Sequence, residues 1–292
     1  MHETLTTSDG RTLAYRRAGA GPILVCHPGG PGLSSRYLTD LGGLGESFTL
    51  VLLDPRGTGG SDRPADPGAY QLEHYVADLE ELRRHLGLKR MSLLGFSHGA
   101  IVALAYGVAH PDHVERLVVA GGAARFAEEQ LAAIDAGVAR RENEPWFPRA
   151  KAALDLESSG SASDEELRQA MADMLPVYFH HYDERAERYT ADVESDVPNG
   201  DAMRLWESEI FATFDLRSQL PSVAARTLVI AGDDDFVTGP TCAREVAALV
   251  PQAELVIVEE CGHMLWVERP DVFVDAVVRF LTRPTTSVPP AG

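Results

Sequence analysis

Gly95-Phe96-Ser97-His98-Gly99 decides how this chain folds. The pentapeptide follows the apolar run Met91-Ser92-Leu93-Leu94 and leads into the apolar-periodic stretch Ala100-Ile101-Val102-Ala103-Leu104-Ala105-Tyr106. A strand, one serine on a sharp bend and then a helix is the setting in which G-x-S-x-G forms a nucleophile elbow. The bend forces strained backbone angles on Ser97 and presses strand against helix, so positions 95 and 99 require residues without a side chain. The strain lifts the Ser97 hydroxyl clear of the sheet, and the helix N-terminus beneath it favours developing negative charge.

Working outward, the first quarter reads as strands and turns. Leu5–Thr7 and Thr12–Arg17 flank Asp9-Gly10, a hairpin signal. Ile23–Cys26 and Phe48–Leu53 are short apolar strands. The loops His27-Pro28-Gly29-Gly30-Pro31-Gly32 and Asp54-Pro55-Arg56-Gly57-Thr58-Gly59-Gly60-Ser61 follow them. Tyr75–Leu86 is helical, with Val76, Leu79, Leu82 and Leu86 turned inward. Val114–Ala120 is another buried strand. Strand and helix alternate again at Thr227–Ala231, Cys242–Leu249, Glu254–Val258 and Val272–Leu281. This alternation predicts an α/β fold, a mostly parallel sheet with helices on both faces.

Between Arg125 and Asp215 the pattern is helical with no strand signal. The segment carries 21 Asp and Glu against 9 Lys and Arg, and a cluster of aromatic residues. A helical block interrupting an α/β domain reads as a lid over a site. The expected organisation is a core of residues 1–124 and 216–292 with a helical cap of residues 125–215. The proline- and threonine-rich end, Arg283–Gly292, should fray.

At 292 residues the chain is long enough for a core without disulfides. A net charge of −18 argues against nucleic-acid and anionic-membrane partners. Three scattered cysteines, Cys26, Cys242 and Cys261, form neither a disulfide framework nor a metal knuckle. No apolar run has the length of a membrane span, and the first residues lack the pattern of a signal peptide, so a reduced, cytoplasmic setting is expected.

A serine nucleophile needs a base, and the base an orienting group. With an elbow serine, the chain order is Ser, then acid, then His. The acid should end a late strand, and Leu228-Val229-Ile230-Ala231 runs into Gly232-Asp233-Asp234-Asp235. Position alone leaves three aspartates open. The base should sit in the loop after the final strand, which singles out His263 in Cys261-Gly262-His263-Met264. Two backbone N–H groups should form an oxyanion hole: that of His98, and one from the loop after Ile23–Cys26. Pro28 and Pro31 have no N–H, which leaves Gly29 or Gly30.

Together, His27-Pro-Gly-Gly-Pro-Gly32, Asp54-Pro-Arg-Gly-Thr-Gly-Gly-Ser61, Gly95-Phe-Ser-His-Gly99, Gly232-Asp-Asp-Asp235 and Gly262-His263 resemble the α/β-hydrolase superfamily, and within it the proline iminopeptidase-like group. The resemblance implies a cofactor-free serine hydrolase with a helical cap. Its G-x-x-D spacing selects Asp235 as the triad acid. The chain departs from the group where Pro28 and Pro55 replace glycine and glutamine. Peptidases of the group hold the substrate amine with acidic residues in the cap and beside the catalytic acid. Phe236 takes the latter place here, while Glu207 and Glu209 beside Trp206 offer cap carboxylates.

Trp146, Tyr178 and Trp206 are candidate walls for an apolar substrate group. Arg56 is expected to tie its loop rather than touch substrate. Adjacent His180 and His181 point to different helix sides and do not make a metal site. The expected activity is hydrolysis of an ester or amide bond of a small molecule, with an N-terminal prolyl or aminoacyl bond as its narrower form. A C–C bond hydrolase, a lactonase or other natural-product tailoring hydrolase, and a non-catalytic binding protein are the alternatives. Neither oligomeric state nor substrate follows from the sequence.

Overall fold

Eight strands form one sheet in the computed structural model, which describes residues 2–193 and 197–284. They are β1 (His2–Thr6), β2 (Thr12–Ala18), β3 (Ile23–His27), β4 (Thr49–Leu53), β5 (Met91–Phe96), β6 (Val114–Ala120), β7 (Arg226–Gly232) and β8 (Ala253–Val258). Their order is β1-β2-β4-β3-β5-β6-β7-β8. β1 pairs antiparallel with β2 across the Asp9-Gly10 turn, and β2 antiparallel with β4; every other pair is parallel. The chain expected to fray lies outside the described residues from position 285 onward.

Side chains alternate across the sheet with period two. Val25, Val51, Leu53, Leu93 and Val119 enter one apolar cluster, while Leu24, Cys26, Leu50, Leu52, Leu94 and Val118 enter the other. Both faces are therefore covered. The helices α1 (Leu72–His85), α2 (His98–Ala109), α8 (Gly239–Leu249) and α10 (Pro270–Thr282) do the covering. The three cysteines are free and buried.

Between β6 and β7 run α3 (Glu128–Ala139), α4 (Phe147–Ser158), α5 (Asp164–Met174), α6 (Glu184–Val193) and α7 (Gly200–Leu205), continued by a π-helical turn over Trp206–Ile210. An isolated antiparallel bridge joins Arg125 to Asp215, closing the two ends of this helical segment on each other. A four-residue helix, α9 (Leu265–Glu268), precedes α10. Among the described residues no helix is long and apolar enough to cross a membrane.

The chain winds from β3 outward to β4 and then crosses to β5 on the other side of β3. Strand order reverses at this point, and open α/β sheets bind ligands outside the carboxyl ends of such strands. The loops after β3, β5, β7 and β8 all carry predicted site residues.

Candidate active site

Ser97 stands between β5 and α2 at φ 54° and ψ −122°, a conformation that side chains rarely adopt and that costs about 1–3 kcal/mol. Its N–H is held by the Ala120 carbonyl at 2.9 Å, and its own carbonyl accepts the N–H groups of Ala100 and Ile101. The flanking glycines are fixed by crowding. A Cβ on Gly95 would fall on the backbone of Gly99, and one on Gly99 on the carbonyl oxygens of His27 and Pro28.

Asp235 follows β7 and is buried. Its Oδ2 lies 2.8 Å from His263 Nδ1 and also takes the Thr238 hydroxyl at 3.0 Å. Its Oδ1 accepts the N–H groups of Val237 and Thr238 at 2.9 and 3.1 Å. Burial works to raise this carboxyl. The charge and hydrogen bond of His263, together with the donors of Thr238, outweigh burial and hold it below the usual carboxylate range. His263 is buried at 3% exposure, and its ring packs 4.7 Å from that of Phe96 and 5.8 Å from that of Tyr178.

The other two aspartates have different work. Asp233 accepts the N–H of Cys261 at 3.1 Å. Asp234 pairs with Arg140, Arg141 and His180 of the helical segment. Arg56 is buried at 1% exposure with its Nε and Nη2 donating to the two Asp78 oxygens at 2.7 Å, and it also donates to the carbonyls of Ala69 and His74. It ties its loop to α1.

Ser97, His98, His263 and Gly30 border a cavity of about 470 Å³. The helical segment and the loop after β7 supply most of its remaining wall, including Tyr178, Trp206, Glu207 and Phe236. The two loop glycines separate, and two predicted positions stand off the cavity. The N–H of Gly29 is taken by the Tyr37 hydroxyl, and Gly30 is the glycine of that loop at the cavity. Trp146 stands off the cavity with its ring on Tyr182, because it precedes α4 and packs behind the wall. Glu209 also stands off the cavity, receiving the Gln71 amide at 3.2 Å. Residues two apart on a helix face different ways, so Glu207 and Glu209 cannot share one pocket.

Sequence reading missed Glu157, which lines the same cavity from α4. Desolvation, and then the charge of Glu207, push its carboxyl up to about 7. Glu207 is raised as well by partial desolvation. Nothing in the local sequence marks Glu157 among the many acids of the segment. Thr238 was also missed, although an Asp followed three residues later by Thr at a helix start is a recognisable local hydrogen-bonding pattern.

Behind Ser97, His98 is wedged between Tyr75 and Trp206, with ring centroids 5.2 and 4.8 Å away. Burial pushes its imidazole down to about 3, and that of neighbouring His27 to about 4. Both are neutral at physiological pH.

Comparison with known proteins agrees with this fold. Residues 22–270 match the family model for the alpha/beta hydrolase fold. A proline iminopeptidase of Pestalotiopsis fici is 28% identical over 275 residues, covering 92% of this chain and 95% of the relative. A hydrolase structure from Pseudomonas aeruginosa is 30% identical with a TM-score of 0.71, covering 97% of this chain and 98% of that one. The enol-lactonase of Burkholderia xenovorans is 26% identical with a TM-score of 0.73, covering 96% and 100%. The chain belongs to the alpha/beta hydrolase fold family. It is a hydrolase, similar to the proline iminopeptidase-like group.

Proposed function

We propose that this chain is a serine hydrolase that cleaves an ester or amide bond of a small molecule through an acyl-enzyme. Ser97 attacks the carbonyl carbon. His263 takes the hydroxyl proton and returns it to the leaving group, and Asp235 fixes the imidazole tautomer and balances its charge. The backbone N–H groups of His98 and Gly30 receive the developing oxyanion. Water then repeats the sequence on the acyl-enzyme. Nucleophile, base and electrostatic stabilisation all come from the chain, so the chemistry calls for no cofactor. Residues 125–215 act as the cap over a core of residues 1–124 and 216–292.

The observation that carries this reading is the 2.8 Å pairing of His263 with Asp235 at a cavity that also holds a serine on a strained elbow. The test is covalent labelling with a fluorophosphonate, read by peptide mass. Modification should fall on Ser97. Ser97→Ala should abolish it and lower ester turnover by at least about 10³-fold. Turnover unchanged in Ser97→Ala overturns the reading.

A narrower form has its own support. Glu157 and Glu207 face one cavity, and the Glu207 charge adds to desolvation in raising the Glu157 carboxyl, an arrangement relieved by a cationic group beside them. An aminoacyl substrate with a free amine fits that pair. Glu157→Gln should then raise KM for aminoacyl arylamides and leave KM for neutral esters within about twofold. Equal effects on both would remove the amine from the account.

A further inference from the structure

The cavity is large for the smallest aminoacyl groups. Cavities of about 300–1,000 Å³ hold drug-sized ligands, and this one has a volume of about 470 Å³. A single pyrrolidine ring with its carbonyl would leave most of it filled with water.

The wall is also unusual in composition. The chain has six methionines. Four of them, Met171, Met174, Met203 and Met264, line this cavity. Met171 and Met174 come from α5, Met203 from α7, and Met264 follows His263. Methionine is unbranched, with several rotatable bonds and a polarisable sulfur, so a methionine wall reshapes around differing apolar groups. Promiscuous binding surfaces use such residues for that reason. Phe126, Ile134, Leu154 and Phe211 extend the apolar lining. Leu131 of α3 lines the cavity and is also 44% exposed, so the apolar surface continues to its solvent edge.

Resting on the serine-hydrolase reading above, we propose that the substrate carries a bulky, flexible apolar group, and that the cap methionines Met171, Met174 and Met203 set its tolerance of shape. A prolyl group is not the preferred occupant. The size argument does not use the acidic pair.

The experiment needs no variant. kcat/KM is measured for p-nitrophenyl acetate, butyrate, hexanoate and octanoate and for prolyl β-naphthylamide, with fluorophosphonate labelling of Ser97 run alongside. Each buried methylene contributes about 0.8 kcal/mol, close to fourfold. Four added methylenes, all buried, would give about 250-fold, so the series should rise by roughly 10- to 250-fold from acetate to hexanoate and should not fall at octanoate. Prolyl β-naphthylamide should be poorer than hexanoate. A flat series, a fall beyond butyrate, or prolyl as the best substrate, with Ser97 labelling normally, overturns the inference and leaves the hydrolase reading intact. Absence of labelling overturns the hydrolase reading and this inference with it.

A second measurement places the effect on the methionines. Met171→Trp should reduce hexanoate and octanoate turnover by about tenfold more than acetate turnover. Equal losses across the series would remove Met171 from the selectivity.

Discussion

The Glu268 carboxylate takes the backbone N–H of Gly262 at 2.8 Å, one residue before His263. The same carboxylate accepts the N–H groups of His180 and His181, at 2.6 and 3.3 Å, from the helical segment. His263 in turn donates its N–H to the Tyr178 carbonyl at 2.7 Å. Gly262 is glycine because residues 178–180 pass directly over it; a Cβ there would lie 2.5 Å from the Tyr178 oxygen. One acidic side chain on α9 thus joins the loop of the proposed base to the helical segment between β6 and β7. Glu268→Gln turns one of the two accepting oxygens into an amide N–H₂ that faces either the Gly262 N–H or the N–H groups of His180 and His181. It should lower kcat by roughly 10- to 100-fold through misplacement of His263 and change KM by less than about threefold. Steady-state kinetics with a saturating ester checks this, and an unchanged kcat would separate Glu268 from the reaction.

Acid should destabilise the fold through the two buried histidines. His27 and His98 are pushed down to about 4 and about 3 by burial, whereas an unfolded histidine titrates at about 6.5. The unfolded chain therefore binds protons that the folded chain refuses. This contribution to stability is complete above about pH 6.5 and is lost as pH falls below it. At pH 5 each histidine should have cost roughly 2 kcal/mol. Replacing His98 with Asn should shrink the stability difference between pH 7.5 and pH 5 by about that amount, measured by urea unfolding. A variant with the wild-type pH slope would rule out His98 as a source.

Much of this could be read from residue order alone, for definite reasons. β6 was placed at its observed bounds, and β3, β4, β5, β7 and β8 within about two residues. Buried parallel strands are short apolar runs, and their alternate faces show in Val25 against Leu24 and Cys26. Ser97 and His263 stand out as candidates because each follows a strand in a fixed order, whereas Asp235 is separated from Asp233 and Asp234 only by the G-x-x-D spacing of the family the chain resembles. Glu157 and Glu268 escaped because their environment is made by elements far apart in sequence. Glu268 meets His180 across 88 residues, and no local pattern encodes that meeting. Glu209 was misread because an acid two residues from Glu207 looks like a partner in sequence and is not one on a helix.

The Arg56–Asp78 pair should be expensive to break from either side. Both side chains are buried, with Arg56 1% exposed and Asp78 2% exposed. Burial raises the Asp78 carboxyl even against the Arg56 charge. Asp78→Ala leaves a buried guanidinium with only the Ala69 and His74 carbonyls, and should destabilise the protein by about 3–5 kcal/mol. Arg56→Met leaves Asp78 enclosed and should cost a similar amount at pH 8 and less as pH falls, because burial and loss of the Arg56 charge both favour the protonated carboxyl. Urea unfolding at pH 8 and pH 5 measures both, and a cost below about 1 kcal/mol would show that the pair is not needed to hold its loop.

The acidic pair of the cavity makes the opposite prediction from the histidines. Glu157 is held at about 7 in the folded chain by desolvation and by Glu207, against an ordinary value near 4.5. The folded chain keeps a proton that the unfolded chain releases. Stability from this site is fully present below about pH 4.5 and is lost as pH rises to about 7, beyond which both states are ionised and nothing more changes. A neutral side chain of the same shape removes the penalty. Glu157→Gln should therefore be more stable than wild type at pH 8, by roughly 1–3 kcal/mol, and nearly equal to it at pH 5. Urea unfolding of both proteins at pH 5 and pH 8 gives the four numbers needed. A difference of the same size at both pH values would place the gain in packing and not in the carboxyl, and would leave Glu207 without an electrostatic partner in the cavity.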